Sequence, residues 1–432
     1  RARAAAVREL ETHLEDQRNE FLAEGHPPAE AERLAVGEMG DPVAVGTDLD
    51  RLHRPRPQWG LLALTLALLL VGGWLRYALT QVGAPWGENL DPFRCALSVV
   101  VGAAALIGSY FLDVSRLLRW AKWVYIGAVM AGVLSLHLSP DVNNASYFTR
   151  YIVLLYPAAY AFWLYACRGK GWLGLLAAVA GGIPLAAIGV EAPFLQGVIQ
   201  LLVIGCFLLL LAIQMDWFTV PRRQGLAAVG GLAAIMAGAV LWLLFAAGYS
   251  SARIQILLHP EMDPMGSGYQ GIMAQRVLEA SRLVGKGKDL SIQTVMLHGG
   301  ELPLEMMLPE WNHDFFPTTM VYKLGWLPYL LLLAVLTALL LWILRRCVCQ
   351  RSQSGKLLAL AVVGTLAVQS AFAVVLNLGF VLFSAQLPLV TGNLHSVVDC
   401  ALIGLALAAF RSESILRDTA MPVFQAPQKE TA

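Results

Sequence analysis

The sequence predicts an all-α, polytopic membrane protein. It should have about ten transmembrane helices, a large external loop between spans seven and eight, and a small helical N-terminal cytoplasmic domain. Three observations predict this. Of 432 residues, 57% are hydrophobic and only 14% charged, where a soluble domain carries about a quarter charged. The apolar residues fall in runs of roughly 18–25, the length that crosses about 30 Å of hydrocarbon. Lys and Arg collect in alternate connections between those runs. Lipid offers backbone amides no partner, so the runs must be helices. The formal net charge of +1 gives nucleic-acid binding no support.

Residues 1–56 are polar and read as short helices. Val7, Leu10, Leu14 and Phe21 share one face of the first. Gly25-His26-Pro27-Pro28 breaks it, a second covers 29–38, and Met39-Gly40-Asp41-Pro42 turns into a third ending near Leu52. With no secretory signal in this stretch, 59–79 is expected to act as the first membrane signal. The predicted spans are 59–79, 92–112, 119–138, 147–167, 171–190, 194–213, 225–248, 325–344, 356–382 and 394–411. Arg116, Arg119, Lys122, Arg168, Lys170, Arg222, Arg223, Arg345, Arg346, Arg351 and Lys356 all lie in or beside connections on one side. The short opposite connections 80–91, 139–146, 191–193 and 383–393 contain no Lys or Arg. The positive-inside rule then puts both termini in the cytoplasm, with 413–432 a polar cytoplasmic tail. Cys95, Cys167, Cys206, Cys347, Cys349 and Cys400 complete no metal-ligand pattern and read as inert thiols.

Residues 249–324 form an external loop too long for a connector, and external chemistry is expected there. An amphipathic helix is expected over 272–283, ended by Gly285-Lys286-Gly287. Read in order, the loop contains Arg253, Pro264, Gly268-Tyr269-Gln270, Gly285-Lys286-Gly287, Leu308-Pro309-Glu310, Asn312-His313-Asp314-Phe315 and Leu324-Gly325. In order and spacing this resembles the SEDS family (FtsW, RodA and SpoVE). Phe93-Arg94, Asn377-Leu378-Gly379 and the turn Leu387-Pro388-Leu389-Val390-Thr391-Gly392 extend the resemblance, which spans residues 59–412. Three departures stand out. Tyr156-Pro157-Ala158-Ala159 and Pro193-Phe194-Leu195-Gln196 lack the acids of the family's QPSE and PDLG, and Tyr322-Lys323 replaces its paired glutamates. Residues 1–56 resemble the permease prefix domain of other bacterial membrane proteins.

The resemblance implies a peptidoglycan glycosyltransferase of the bacterial plasma membrane that polymerises lipid II at the outer face. It would serve cell shape, division or sporulation, with a class B penicillin-binding protein as transpeptidase partner. A polyprenyl-linked glycan would be the donor. The alternatives are a non-catalytic scaffold or regulator on the same fold, and a transporter of lipid-linked substrate. Joining an α-linked donor to a C4 hydroxyl with inversion needs a base and a cationic site for the departing diphosphate. Asp314 is the candidate base, and its residue type suits equally a cap on a helix starting near Phe315. The candidate substrate-binding residues are Arg253, Tyr269, Gln270, Arg276, Lys286, Glu310, Arg94 and Thr391. Arg76 and Arg150 are ionisable residues at outer membrane ends, and Asp399 lies inside the last span, where it needs a partner. No cofactor or protein-held metal is expected beyond a divalent cation that could accompany the diphosphate.

Overall fold

The computed structural model describes residues 2–41, 43–45, 47, 57–81, 91–142, 145–246, 255–288, 290, 304–382, 384–391 and 393–412. Two helices open the chain, α1 (Ala2–Ala23) and α2 (Pro28–Glu38), folded against each other about the turn at Gly25, φ 96°. Ala31 and Ala35 are buried between them, and Gln17 donates to Glu38 at 3.2 Å. Leu10, Leu14 and Phe21 are half-buried, but Val7 is 45% exposed. The reason is length: α2 is half as long as α1 and cannot cover its whole apolar stripe. The third helix expected after Met39 lies largely outside the described residues, as does the tail 413–432.

The bundle follows: α3 (Trp59–Leu79), α4 (Pro92–Tyr110), α5 (Val114–Arg119) and α6 (Ala121–Leu138). A two-residue antiparallel bridge, β1 (Asp141–Val142) with β2 (Ala145–Ser146), leads to α7 (Thr149–Val153) and α8 (Tyr156–Cys167). Then come α9 (Gly171–Ala180), α10 (Gly182–Glu191), α11 (Leu195–Gln214) and α12 (Arg222–Ala246). Beyond them lie α13 (Tyr269–Ala280), α14 (Leu304–Met307) and α15 (Phe316–Leu324). The chain closes with α16 (Trp326–Cys349), α17 (Gln353–Asn377) and α18 (Leu394–Arg411). Among the described residues eight helices are long and apolar enough to cross a membrane, with α9 and α10 counted as one. The two other expected spans are the 25-residue α12 and the α7–α8 pair.

Span 147–167 was expected as one helix and is two. Pro157 has no N–H to give the carbonyl of Val153, and its ring crowds that turn, so the ladder breaks at Leu154 and Leu155. Pro184 does the same between α9 and α10. Here aromatic side chains serve the carbonyls around the break. Trp163 donates to Ala177 at 2.8 Å, Tyr160 to Ala178 at 3.0 Å and Tyr125 to Gly181 at 2.7 Å. The ninth span, expected to 382, ends at Asn377 because Gly379 turns left-handed, φ 93°. The loop helix α13 starts three residues earlier than expected and stops at Ala280, where the Ser281 hydroxyl bonds back to Val277 at 2.7 Å.

The central helix is α18, packed along α4 on one side and α17 on the other, with Gly404 against Leu106 and Ser109. Apolar side chains exposed around the bundle, such as Leu173, Ile183, Val203 and Leu331, match a surface that faces lipid rather than water.

Candidate active site

Three pieces of chain meet at Asp314. The first is the turn 310–315 before α15. Glu310 takes φ 56°, and its carbonyl accepts from the backbone N–H of His313 at 3.0 Å and of Phe315 at 3.1 Å. Phe315 and Phe316, both buried, anchor the end of the turn. The second is the end of α17. Asn377 accepts through Oδ1 from the Thr318 N–H at 2.9 Å and from its hydroxyl at 2.7 Å. Through Nδ2 it donates to the Asp314 carbonyl at 3.0 Å and to Ala373 at 2.8 Å. Asn377 therefore does from a neighbouring helix what an N-cap does locally. The third is the segment 384–393 before α18, whose turn leans on α3. A Cβ at Gly72 would come within 2.5 Å of the Leu389 carbonyl, so only glycine allows that approach.

Asp314 does not cap α15. The N-cap position is Phe315, with no side-chain cap bond. The carboxylate instead accepts from the hydroxyl of Ser384 and, at 3.1 Å, from Nε2 of Gln386. Gln386 in turn accepts from Asn393 at 2.8 Å, and Thr391 donates to Asn393 at 3.3 Å. Ser384 joins two hollows. One, about 260 Å³, is lined by Gln270, Gly268, Gly271 and Gly379. The other, about 10 Å³ or roughly one water, lies between Arg150, Tyr151, Gln196, Gln386 and His395.

The electrostatics follow from this packing. Burial pushes the Asp314 carboxyl above its ordinary range, opposed by the Ser384 and Gln386 hydrogen bonds and by the positive charge of Arg150. Burial also raises Glu310, with repulsion from Asp314 adding to it and Arg150 opposing. His313 is lowered to about 4 by burial and by Arg76 and Arg150, so it is neutral at pH 7. The Arg150 guanidinium is itself held over the rings of Tyr147 and Tyr151, at 4.6 and 5.0 Å from their centres.

Of the residues singled out in the sequence, Asp314, Glu310, Thr391 and Gln270 gather here, and half-buried Tyr269 adjoins Gln270 on α13. Arg94 and Arg276 are exposed, and among the described residues neither bonds to a member of the Asp314 cluster. Lys286 is exposed in a segment that serves packing: Gly285 and Gly287 donate at 2.7 Å to Leu324 and Tyr322 of α15. Arg253 lies outside the described residues. Ser384, Gln386 and Asn393 were not singled out. Their only signal is an uncharged polar stretch flanking the Leu387–Gly392 turn. Lys323, where the family pattern has an acid, donates to Glu305 at 2.8 Å and to the Leu79 carbonyl at 2.7 Å, and lies over Trp311. It pins the loop to the end of α3. Among the described residues no three His, Cys, Asp or Glu side chains converge to hold a metal ion.

The chain and its fold have known relatives. The signature of the family described as "Cell cycle protein", FTSW_RODA_SPOVE, matches residues 59–411. Peptidoglycan glycosyltransferase MrdB of Escherichia coli K12 is 34% identical over 122 residues, covering 27% of this chain and 30% of that protein. The FtsW of Idiomarina loihiensis, named a probable peptidoglycan glycosyltransferase, is 25% identical over 331 residues, 70% of this chain and 75% of that one. Among solved structures, a chain of a peptidoglycan synthase complex that polymerises and crosslinks superposes with a TM-score of 0.60 at 18% identity, covering 83% of this chain and 98% of that one. The rod shape determining protein RodA of Thermus thermophilus gives 0.52 at 18% identity, covering 83% and 97%. These structural likenesses speak for a shared membrane fold, and the family signature spans the whole bundle together with residues 249–324. The chain belongs to the cell cycle protein family of FtsW, RodA and SpoVE.

Proposed function

We propose that this chain is a peptidoglycan glycosyltransferase that polymerises lipid II at the outer face of the plasma membrane, with Asp314 as general base. The single observation that supports this best is the Asp314 carboxylate itself. It is half-buried, released from any capping duty, oriented by Ser384 and Gln386, and within the influence of the Arg150 charge. A carboxylate raised by burial and supplied with donors that favour its ionised form is suited to taking a proton. In the reaction Asp314 takes the proton from the acceptor's C4 hydroxyl as that oxygen attacks the donor's anomeric carbon. The bond from that carbon to the diphosphate breaks, and the electron pair leaves on the diphosphate. Attack from the opposite face turns the α linkage into β. Arg150, held over two tyrosine rings, supplies a cation for the departing charge. The 260 Å³ hollow beside Ser384 is the natural place for acceptor sugar.

In this reading, ten spans with both termini inside the cell would put the site at the outer face, where a class B penicillin-binding protein would crosslink the product. Asp314→Asn in the purified protein, given labelled lipid II, tests the reading. It keeps the side chain's shape but cannot take the proton, and chain formation should fall by roughly 100-fold or more. Wild-type polymerisation by that variant would overturn the catalytic role and leave the non-catalytic scaffold as the better account.

A further inference from the structure

We propose that Asn393 is a positioning residue that acts through Gln386, turning the Gln386 amide so that only its N–H side faces Asp314. The inference rests on the reading of Asp314 as base. It begins at the first turn of α18. A backbone N–H can only donate, and that of His395 points at Asn393 Oδ1 at 2.9 Å. The Thr391 hydroxyl donates to the same oxygen. This settles which end of the Asn393 amide is oxygen, and its Nδ2 must face the other way. There it meets Gln386 at 2.8 Å, where only Oε1 can accept. The remaining end of the Gln386 amide, Nε2, is then the one presented to Asp314 at 3.1 Å. Polarity is thus passed from a helix N-terminus through two amides to the carboxylate.

The consequence is chemical. An amide free to turn would offer a protonated Asp314 its oxygen and an ionised Asp314 its N–H, favouring neither form. With Asn393 in place, turning Gln386 over would set two N–H groups against each other. Gln386, 5% exposed, is closed off from the bulk water that would relieve that conflict. The fixed Gln386 donor therefore favours the ionised carboxylate, the form that accepts a proton, against the burial that raises it. The other groups that face this region are Arg150 from α7, Glu310 and His313 from the same turn, Arg76 from α3, and His395 with Asp399 from α18.

The test is the pH profile of lipid II polymerisation by the full-length protein. Gln386→Leu removes the donor to Asp314. Asn393→Ser keeps the cap on His395, since serine caps well, but is too short to reach Gln386. Asn393→Thr serves as a second capping substitution should the serine variant fold poorly. Both single changes should move the acid limb of kcat to higher pH, by on the order of one unit for Gln386→Leu and by no more than that for Asn393→Ser. On the alkaline side each variant should reach a plateau, set below wild type for Gln386→Leu because that change also removes a group that orients Asp314. In the double variant the limb should stay where Gln386→Leu alone puts it. A limb that moves with Gln386→Leu but not with either Asn393 variant overturns the proposal, as does a further shift in the double variant. Asp314→Asn separates the two failures. Full activity there removes the base itself, whereas an inactive Asp314→Asn beside an unmoved Asn393 limb removes only the relay.

Discussion

Asn377 is the residue whose loss should cost the site most without touching substrate. Its side chain is 5% exposed and satisfies four groups, two on Thr318 and the carbonyls of Asp314 and Ala373. In Asn377→Leu the Thr318 hydroxyl still reaches the Asn377 main-chain carbonyl, at 3.2 Å, and Ala373 keeps its helical partner. The Thr318 N–H and the Asp314 carbonyl do not. Two buried backbone groups left unpaired at about 1–3 kcal/mol each give roughly 2–6 kcal/mol of destabilisation. Asn377→Asp separates the two roles. It still accepts from Thr318, with its charge at the positive end of α15, but it cannot donate to Asp314. It should lose only about 1–3 kcal/mol. Its chain formation should still drop by roughly 100-fold, the scale of a 1 Å misplacement. Reversible unfolding in mixed micelles reads the stability, and labelled lipid II reads the rate. If Asn377→Leu unfolds and polymerises like wild type, Asn377 does not hold this site.

Lys323→Met should cost about 2–4 kcal/mol by stranding the 9%-exposed Glu305, and adding Glu305→Gln should restore part of that in a double-mutant cycle. Arg150→Gln removes a charge that holds Asp314 down, so its pKa rises further and the acid limb of the pH–rate profile moves up. KM for lipid II should rise with it, and an unmoved limb would refute Arg150's electrostatic role. In a background without native cysteines, Ser267→Cys should react with an impermeant thiol reagent from outside intact cells and Ser115→Cys should not. The reverse result would invert the topology.

What was legible in the sequence was what one helix needs for itself. Run length and the sidedness of Lys and Arg are local properties, and the helices lie close to where they point. Pro157 and Pro184 were equally visible, yet their effect depends on neighbours. The break at Pro184 is tolerated because Trp163, Tyr160 and Tyr125 donate to the carbonyls around it from α8 and α6. Asp314 could be singled out only through its loop motif, with base and cap left open. The distinction lies 70 residues away at Ser384, on another element. Ser384, Gln386 and Asn393 carry no charge, spacing or periodicity that marks them, and only tertiary packing makes them partners. Lys323 looked like a lost acid until Glu305, 18 residues upstream, supplied its counter-charge.

Asp399 shows how the membrane interior can hold a site at its edge, and whether it does so by charge or by shape can be decided. It is wholly buried in α18, accepts the Leu389 N–H at 3.2 Å, and lies 3.9 Å from His395 Nε2. Leu389 has φ 64°, a left-handed conformation that costs a non-glycine residue about 1–2 kcal/mol. Something must hold it there, and Asp399 on one side with the Gly72 notch on the other does so. The bond needs an acceptor, not a charge. An ionised carboxylate would add desolvation cost in the bundle interior without improving the turn. Asp399→Asn should therefore keep activity within a few fold and stability at or above wild type. Asp399→Leu matches it in volume but strands the Leu389 N–H. The turn is then free to leave the left-handed region and carry Ser384 and Gln386 away from Asp314, so chain formation should fall by roughly 100-fold. Should the Asn variant fail as badly as the Leu variant, the charge on Asp399 is itself required, and its role is more than holding the turn.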